Sequence, residues 1–226
     1  NLEWQIVTMS VNPKTGALTL VKQTDIAVTA ARALAIDPQA HFIWVVGSNL
    51  SPTVMRVALD NAGLPIAADA GGAASTTLPG SANCTNSALG AAGRVYTACA
   101  QDQALHGVEY DAGANVSFSV GTANAGFVPI GVAVHPSNTF AYAASFTQGA
   151  ITTFSLAANG APTALPPPLG VSAQCRTLAF YNGFLYAGCD GKMLSFSVNG
   201  TTGALTPVAN VPGVSDSSYS MAFVRP

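Results

Sequence analysis

Side chains able to carry acid–base or nucleophilic chemistry are scarce in this chain. Only 18 of its 226 residues are charged, or 8% against about 25% in an average soluble domain. Asp37, Asp60 and Asp111 stand in turn-like segments, where an aspartate usually accepts hydrogen bonds from its own backbone. No Gly-x-Ser-x-Gly elbow occurs, so the signature of a serine hydrolase is missing. We expect structural or solvent-exposed roles for the three histidines, which occupy unrelated positions: His41, His106 and His135.

The four cysteines form two pairs with one shared geometry. Cys84 and Cys99 are equidistant from a turn at residues 91–92, and Cys175 and Cys189 are equidistant from Asn182. Equidistant residues of an antiparallel hairpin face each other. We therefore predict two disulfides, each closing a loop of about 15 residues worth up to ~3 kcal/mol. Buried free thiols and a metal site are the rival interpretations, but the tight Cys-x-x-Cys spacing of zinc sites is absent. We predict neither a metal nor a cofactor.

The composition excludes several classes of protein. A net charge of −2 with eight Lys and Arg leaves no basic surface for nucleic acid. The 49% content of hydrophobic residues argues against disorder. No apolar run reaches the roughly 18 residues that a membrane span requires. The chain begins at Asn1 without Met or a signal peptide, as a processed chain would. Together with the even number of cysteines, this predicts an extracellular, cell-surface or periplasmic protein.

Internal repeats indicate the architecture. The segments TGALTLV (Thr15–Val21) and TGALTPV (Thr202–Val208) are nearly identical, and each follows a strand-like segment. Hairpin-like units recur at intervals of about 45 residues, the length of a four-stranded propeller blade. Each unit carries an aromatic residue at one register, and we predict that these aromatics pack between blades: Trp44, Tyr96, Tyr142 and Tyr186.

We therefore predict an all-β fold, a single β-propeller domain over residues 1–226 with about five four-stranded blades, strands A to D running outward. Four complete blades are expected at about 27–70, 80–124, 127–170 and 172–212, with Ala68–Ser81 and Pro166–Pro168 as links. Residues 1–24 and 216–226 form a closing blade from both chain ends. This blade lacks strand B, and three explanations are open: residues before Asn1, a three-stranded blade, or a strand from another chain.

The A strands line the propeller axis, and their first residues are the best candidates for ligand binding. Two arginines, an asparagine and a tyrosine would form a polar ring suited to a carboxylate, a phosphate or a sugar, because Arg donates in a fixed fork. In the competing interpretation, the arginines bond carbonyl groups at the blade ends. Alignment of the blades places five residues at this level: Arg32, Asn86, Ile130, Arg176 and Tyr219.

Four segments carry a resemblance to a known family: SVNPKTGALTLV, AIDPQAHFIWVVGSN, GVAVHPSNTFAYAAS and SVNGTTGALTPV. They resemble the lactonase-type β-propellers, the YVTN or 6-phosphogluconolactonase-like proteins, and the resemblance extends over nearly the whole chain. Members usually have about seven blades, within the range of four to eight that propellers use, so this chain departs in size. The resemblance implies lactonase activity, although a fold does not settle function.

Three functional hypotheses follow. The first is a non-enzymatic binding or assembly module, because catalytic groups are few and a net charge near zero favours association. Its partners would be other protein chains at the open edge of the closing blade, a second copy, or a small anionic or sugar ligand. The second is a lactone hydrolase in which Arg32 and Arg176 hold an anionic sugar lactone. The third is a lectin-like ring, but the blades share little polar loop sequence.

Overall fold

The described part of the chain consists of β-structure. The computed structural model describes residues 4–212, apart from residues 29, 38, 40, 48–51, 68–72 and 79–82. These residues form 18 β-strands and one 3₁₀ turn at Ala91–Gly93. Among them, no helix has the length and apolar character needed to cross a membrane. The predicted C-terminal strand at 216–226, with Tyr219, lies outside the described residues.

Four sheets of four antiparallel strands follow one another along the chain, which confirms the predicted propeller architecture. The first blade contains β3 (Ala31–Ile36), β4 (Phe42–Gly47), β5 (Thr53–Ala58) and β6 (Ala73–Thr77). The second contains β7 (Cys84–Leu89), β8 (Val95–Cys99), β9 (Ala104–Asp111) and β10 (Val116–Asn124). The third contains β11 (Pro129–Val134), β12 (Phe140–Ser145), β13 (Ala150–Leu156) and β14 (Pro162–Gly170). The fourth contains β15 (Cys175–Tyr181), β16 (Phe184–Cys189), β17 (Lys192–Val198) and β18 (Leu205–Pro212).

A two-stranded sheet of β1 (Trp4–Val11) and β2 (Leu18–Ile26) precedes the first blade. Ile6 and Ile26 are buried against the first blade, in a cluster with Val45. The opposite face carries apolar side chains that are 47–61% exposed: Val7, Met9, Val11, Leu18 and Leu20. Such a contiguous apolar face is typical of an interaction surface.

In the first three blades, the aromatic residue of the second strand contacts the next blade. Tyr96 donates a hydrogen bond of 2.8 Å to the carbonyl of Gly160, and Tyr142 donates one of 2.9 Å to the carbonyl of Gly203. In the first blade, the indole of Trp44 reaches the second blade at the carbonyl of Gly93, 2.8 Å away. The three side chains are at most 1% exposed. Aromatic rings with one polar atom suit this role, because they fill the space between sheets while satisfying a buried carbonyl.

Both predicted disulfides are present. Cys84 is bonded to Cys99, and Cys175 to Cys189, in each case across the two inner strands of a blade. The structure adds a β-bulge that the prediction did not include: the pairing register shifts by one residue next to Cys84 and next to Cys175. Beyond the bulge, each pair of strands is centred half a residue away from the predicted midpoint. The extra residue in the bulge makes up this difference, so the cysteines still face each other.

The first blade differs from its predicted bounds. Its outermost strand is β6, which lies within the stretch Ala68–Ser81 predicted as a link, and the blade extends beyond residue 70. Between the end of β5 and the start of β6, the chain makes only an isolated bridge between Leu59 and Pro65. Proline cannot donate to a β-ladder, and the Pro65 carbonyl accepts instead from Lys22 Nζ at 2.6 Å.

The segment Pro166–Pro168 was also predicted as a link between blades. It lies inside β14, the outermost strand of the third blade. Outermost strands tolerate proline because the missing N–H faces away from the ladder.

Candidate functional site

The innermost strands of the four blades line a common cavity, which we call the channel. Its volume is about 490 Å³, and it lies between β3, β7, β11 and β15. This volume falls in the range of about 300–1,000 Å³ that is usual for small-molecule sites. Most residues that line it are apolar, and the polar side chains lie toward the start of the strands: Arg32, Thr85, Asn86, Ser87 and Thr177.

A bulge near the start of each inner strand decides which residues share a level in the channel. In every blade the pairing of the two inner strands skips one residue. The skipped residues are Arg32, Thr85, Ile130 and Arg176. Asn86, which the sequence alignment placed at this level, therefore stands one residue further along. The misplacement has a physical cause, because the turns between the inner strands differ in length: Cys84 and Cys99 are 15 residues apart, whereas Cys175 and Cys189 are 14 apart. Counting back from the turn therefore shifts the second blade by one residue.

The two arginines that were predicted to bind a ligand have different surroundings. Arg32 is exposed and lines the channel. The guanidinium of Arg176 is engaged between blades: its Nε lies 3.5 Å from Asp190 Oδ1, and its Cζ lies 4.1 Å from the ring centre of Phe146. A cation held over an aromatic face and beside a carboxylate joins neighbouring blades. Arg32 and Asn86 thus meet at one cavity, and Arg176 has the structural role that the competing interpretation favoured, with a carboxylate rather than a carbonyl as its partner.

Hydroxyl and amide groups of β7 face the channel beside Arg32. Thr85 Oγ1 donates to the Ile130 carbonyl of the neighbouring inner strand at 3.3 Å. The side-chain oxygen Oδ1 of Asn86 accepts from the Ser87 backbone amide at 2.8 Å. Ser87 Oγ is buried and has no hydrogen-bond partner among the described residues, which is unfavourable for a hydroxyl. Because this atom is enclosed by the protein, Thr85 and Asn86 are the residues of β7 that offer polar groups to the channel.

The channel offers little for proton transfer. Among the described residues that line it, Arg32 is the one charged side chain, and none is Asp, Glu, His, Cys or Tyr. Arginine stays protonated and cannot serve as a general base. The lining can therefore hold a ligand by charge and hydrogen bonds, but it contains no group that would activate water.

The turn aspartates behave as predicted. Asp60 Oδ1 accepts from the Ala62 and Leu64 amides at 2.9 Å. Asp111 Oδ1 accepts in the same way from the Gly113 amide at 2.8 Å. Both carboxylates stabilise the turn that joins the two outer strands of their blade, away from the inner strands.

One serine–histidine contact was not anticipated from the sequence. In the turn between β11 and β12, His135 Nδ1 lies 2.6 Å from Ser137 Oγ. The same ring nitrogen also accepts the Ser137 backbone amide at 3.1 Å, and burial lowers the pKa of His135. A neutral imidazole whose Nδ1 already accepts a backbone proton is a turn-stabilising group rather than a base for Ser137. Its sequence signal is the His-Pro-Ser segment at the turn.

A second contact joins residues that were treated separately in the sequence. His106 Nε2 lies 2.7 Å from Asp102 Oδ2, and His106 is only 6% exposed. A ring nitrogen of His106, a carboxylate oxygen of Asp102 and the sulfur of Cys99 lie within 4.8 Å of one another. The spacing Cys-x₂-Asp-x₃-His could have drawn attention to this group, but its convergence depends on the tight turn between β8 and β9.

Comparison with known proteins supports the fold. No family model matches the sequence, and no curated protein matches it either. A protein of unknown function from Desulfotomaculum acetoxidans has a similar structure, with a TM-score of 0.76 at 16% identity over 93% of this chain and 64% of its own. A Bacteroides uniformis protein named for 6-phosphogluconolactonase gives 0.76 at 14% identity, over 97% and 68%. The periplasmic gluconolactonase of Pseudomonas aeruginosa gives 0.70 at 12% identity, over 94% and 65%.

These likenesses confirm the lactonase-type propeller fold that the sequence motifs suggested. At 12–16% identity they establish the fold alone. The chain spans about two thirds of the length of the solved structures, 64–68% of the three compared.

Proposed function

We propose that this protein is a ligand-binding propeller whose channel takes a small, hydroxyl-rich carboxylate such as a sugar acid. The observation that carries the proposal is the channel lining, which combines the cation of Arg32 and the polar side chains of Thr85 and Asn86 with an absence of acid or base groups among its described residues. The guanidinium binds the carboxylate, and the hydroxyl and amide groups of β7 bind the sugar hydroxyls.

Gluconate is a suitable probe, with binding measured by isothermal titration calorimetry. The substitution Arg32→Gln is expected to weaken binding by about 10- to 100-fold, since hydrogen bonds to charged groups contribute about 1.5–3 kcal/mol and each 1.4 kcal/mol is about tenfold. Asn86→Ala removes the side-chain amide and its neutral hydrogen bonds, and is expected to weaken binding by up to about tenfold.

Arg176→Gln is the matched control, because it makes the same change at the corresponding position of another blade, where the side chain contacts Asp190 and Phe146. Its affinity for gluconate should equal that of the unmodified protein. Equal loss in Arg32→Gln and Arg176→Gln, or no binding of gluconate by the unmodified protein, would contradict the proposal.

Lactone hydrolysis is the second candidate function, favoured by the fold shared with a gluconolactonase. The channel would bind the lactone through Arg32, but the described lining provides no base to activate water. A pH-stat assay with gluconolactone is expected to show no acceleration over the uncatalysed rate. Saturable hydrolysis that Arg32→Gln abolishes would replace the binding proposal with a catalytic one.

We also propose that the protein works outside the cytoplasm and associates with itself. The two disulfides support an oxidising compartment. The exposed apolar face of β1 and β2 supports a second copy as the partner. Light scattering is expected to show a species larger than the monomer, and Leu20→Lys is expected to shift it toward the monomer. A strict monomer at high protein concentration would contradict self-association.

A further inference from the structure

Three types of metal ligand meet at the junction of β8 and β9, outside the channel. Cys99 ends β8, His106 is the third residue of β9, and Asp102 lies in the turn between them. The turn is tight because Gln103 adopts a left-handed backbone conformation, with φ of 58°. As a result one donor atom from each side chain lies within 4.8 Å of the others. Thiolate, imidazole and carboxylate are the ligands that zinc prefers in proteins.

The position of His106 is unusual for this propeller. The corresponding place on the third strand of the other blades is taken by Met55, Thr152 and Leu194, each of which pairs with the same position of strand B. All of these sites are buried. A buried imidazole needs a polar partner, and Asp102 provides one at 2.7 Å. Packing alone accounts for an apolar residue here and does not account for a His–Asp pair beside a sulfur atom.

The disulfide controls whether this group can bind a metal. Cys99 is bonded to Cys84, and only a thiolate is an effective metal ligand. In the oxidised protein the cluster therefore has only two groups of a type that binds zinc, the imidazole and the carboxylate, which contact each other. Reduction would release the sulfur of Cys99 within reach of both, with the sulfur of Cys84 next to it.

We propose that reduction of the Cys84–Cys99 disulfide creates a Zn²⁺ site formed by Cys99, Asp102 and His106. A dithiol reductant supplies two electrons and two protons, leaving two protein thiols and a cyclic disulfide of the reductant. Zn²⁺ then displaces the thiol proton of Cys99 to solvent. It binds one ring nitrogen of His106, which keeps its proton on the other ring nitrogen, together with the carboxylate of Asp102, and these two bonds replace the contact between His106 and Asp102. The metal enters past Asp102, whose side chain is 25% exposed while Cys84 and Cys99 are fully buried.

The fourth blade provides an internal comparison. Its disulfide joins Cys175 and Cys189 at the same place on the inner strands. There Asp190 contacts Arg176, and Leu194 stands at the position that corresponds to His106. This blade therefore lacks the imidazole, and reduction of its disulfide should create no comparable site.

The variant Cys84→Ser tests the proposal without reductant, because it frees the thiol of Cys99 while the other disulfide stays intact. Titration with Co²⁺, a spectroscopic substitute for Zn²⁺, is expected to give a thiolate-to-metal charge-transfer band that Zn²⁺ abolishes. The additional change His106→Gln or Asp102→Asn should weaken binding by about tenfold or more, the effect typical of disturbing a metal site. The oxidised unmodified protein should give no such band.

Cys175→Ser is the matched control, since it frees the thiol of Cys189, which corresponds to Cys99, in a blade that has Leu194 in place of His106. It should bind Co²⁺ at least about tenfold more weakly than Cys84→Ser. Circular dichroism establishes that each variant is folded. If Cys84→Ser does not fold, the unmodified protein reduced with dithiothreitol and freed of it by gel filtration replaces it. A missing thiolate band, equal binding by the two serine variants, or binding unaffected by His106→Gln would overturn the proposal.

Discussion

Replacing Tyr142 with Ala is expected to lower the free energy of unfolding by about 3–5 kcal/mol, the range found when a buried large aromatic is truncated. The ring is fully buried between the third and fourth blades. Its hydroxyl is the donor to the Gly203 carbonyl, at 2.9 Å, and burial raises the pKa of the phenol, so the donor proton is retained. Truncation opens a cavity and leaves the carbonyl without its partner. Urea unfolding followed by fluorescence measures the change.

Tyr142→Phe separates packing from hydrogen bonding, because it keeps the ring and removes the hydroxyl. We expect a loss of about 1–3 kcal/mol, the penalty for a buried group left unsatisfied. Tyr110→Phe is the control, since its hydroxyl bonds Asn115 at the exposed rim of the second blade, and surface changes usually stay within about 0.5 kcal/mol. Equal effects of the two Phe substitutions would show that the contact between blades contributes nothing.

The substitution Gly203→Ala is expected to destabilise the protein by about 2–5 kcal/mol. Gly203 has φ of 72°, in the left-handed region, where a side chain costs about 1–2 kcal/mol. An added Cβ would also lie 2.5 Å from a ring carbon of Phe140 in the preceding blade, and overpacking a core costs about 1–3 kcal/mol. The free energy of unfolding, again from urea titration, measures the sum.

Gly16→Ala provides a matched control for this prediction. The two glycines occupy the same Thr-Gly-Ala-Leu-Thr turn with nearly the same φ, 70° and 72°. A Cβ on Gly16 would meet nothing within 4 Å among the described residues. We therefore expect Gly16→Ala to cost only the backbone contribution of about 1–2 kcal/mol. An effect of Gly16→Ala as large as that of Gly203→Ala would mean that the contact with Phe140 does not matter.

Much of the fold was predictable because its information is local along the chain. Each hairpin brings together residues that are close in the chain, with the widest separation being the 24 positions between Thr53 and Thr77. A repeated turn with flanking apolar residues is therefore enough to recognise a blade. The same locality made the two disulfides predictable, since cross-strand position in a hairpin follows from distance to the turn. The aromatics Tyr96 and Tyr142 repeated at one register, which correctly indicated packing between blades.

The candidate site was predicted less completely, for reasons that lie in the backbone. The turns between the inner strands differ in length by a residue, as the cysteine separations of 15 and 14 show, so Thr85 rather than Asn86 corresponds to Arg32. In the first blade Pro65 makes only an isolated bridge, and the outer strand lies at Ala73–Thr77 within the predicted link. Contacts between side chains also decided which predicted residues line the channel, because Arg176 contacts Asp190 and Phe146 instead.

Strand periodicity, hairpin symmetry and the blade repeat were readable from the amino-acid sequence, because each depends on residues that are near one another in the chain. Contacts between blades were not readable, because they join turns and strands about 60 residues apart through geometry that several sheets set together. The folded molecule therefore decided that Arg32 faces the channel, that Ser87 Oγ has no partner among the described residues, and that Cys99, Asp102 and His106 converge. A one-residue bulge or a single left-handed residue redirects a side chain without leaving any mark on the hydrophobic pattern.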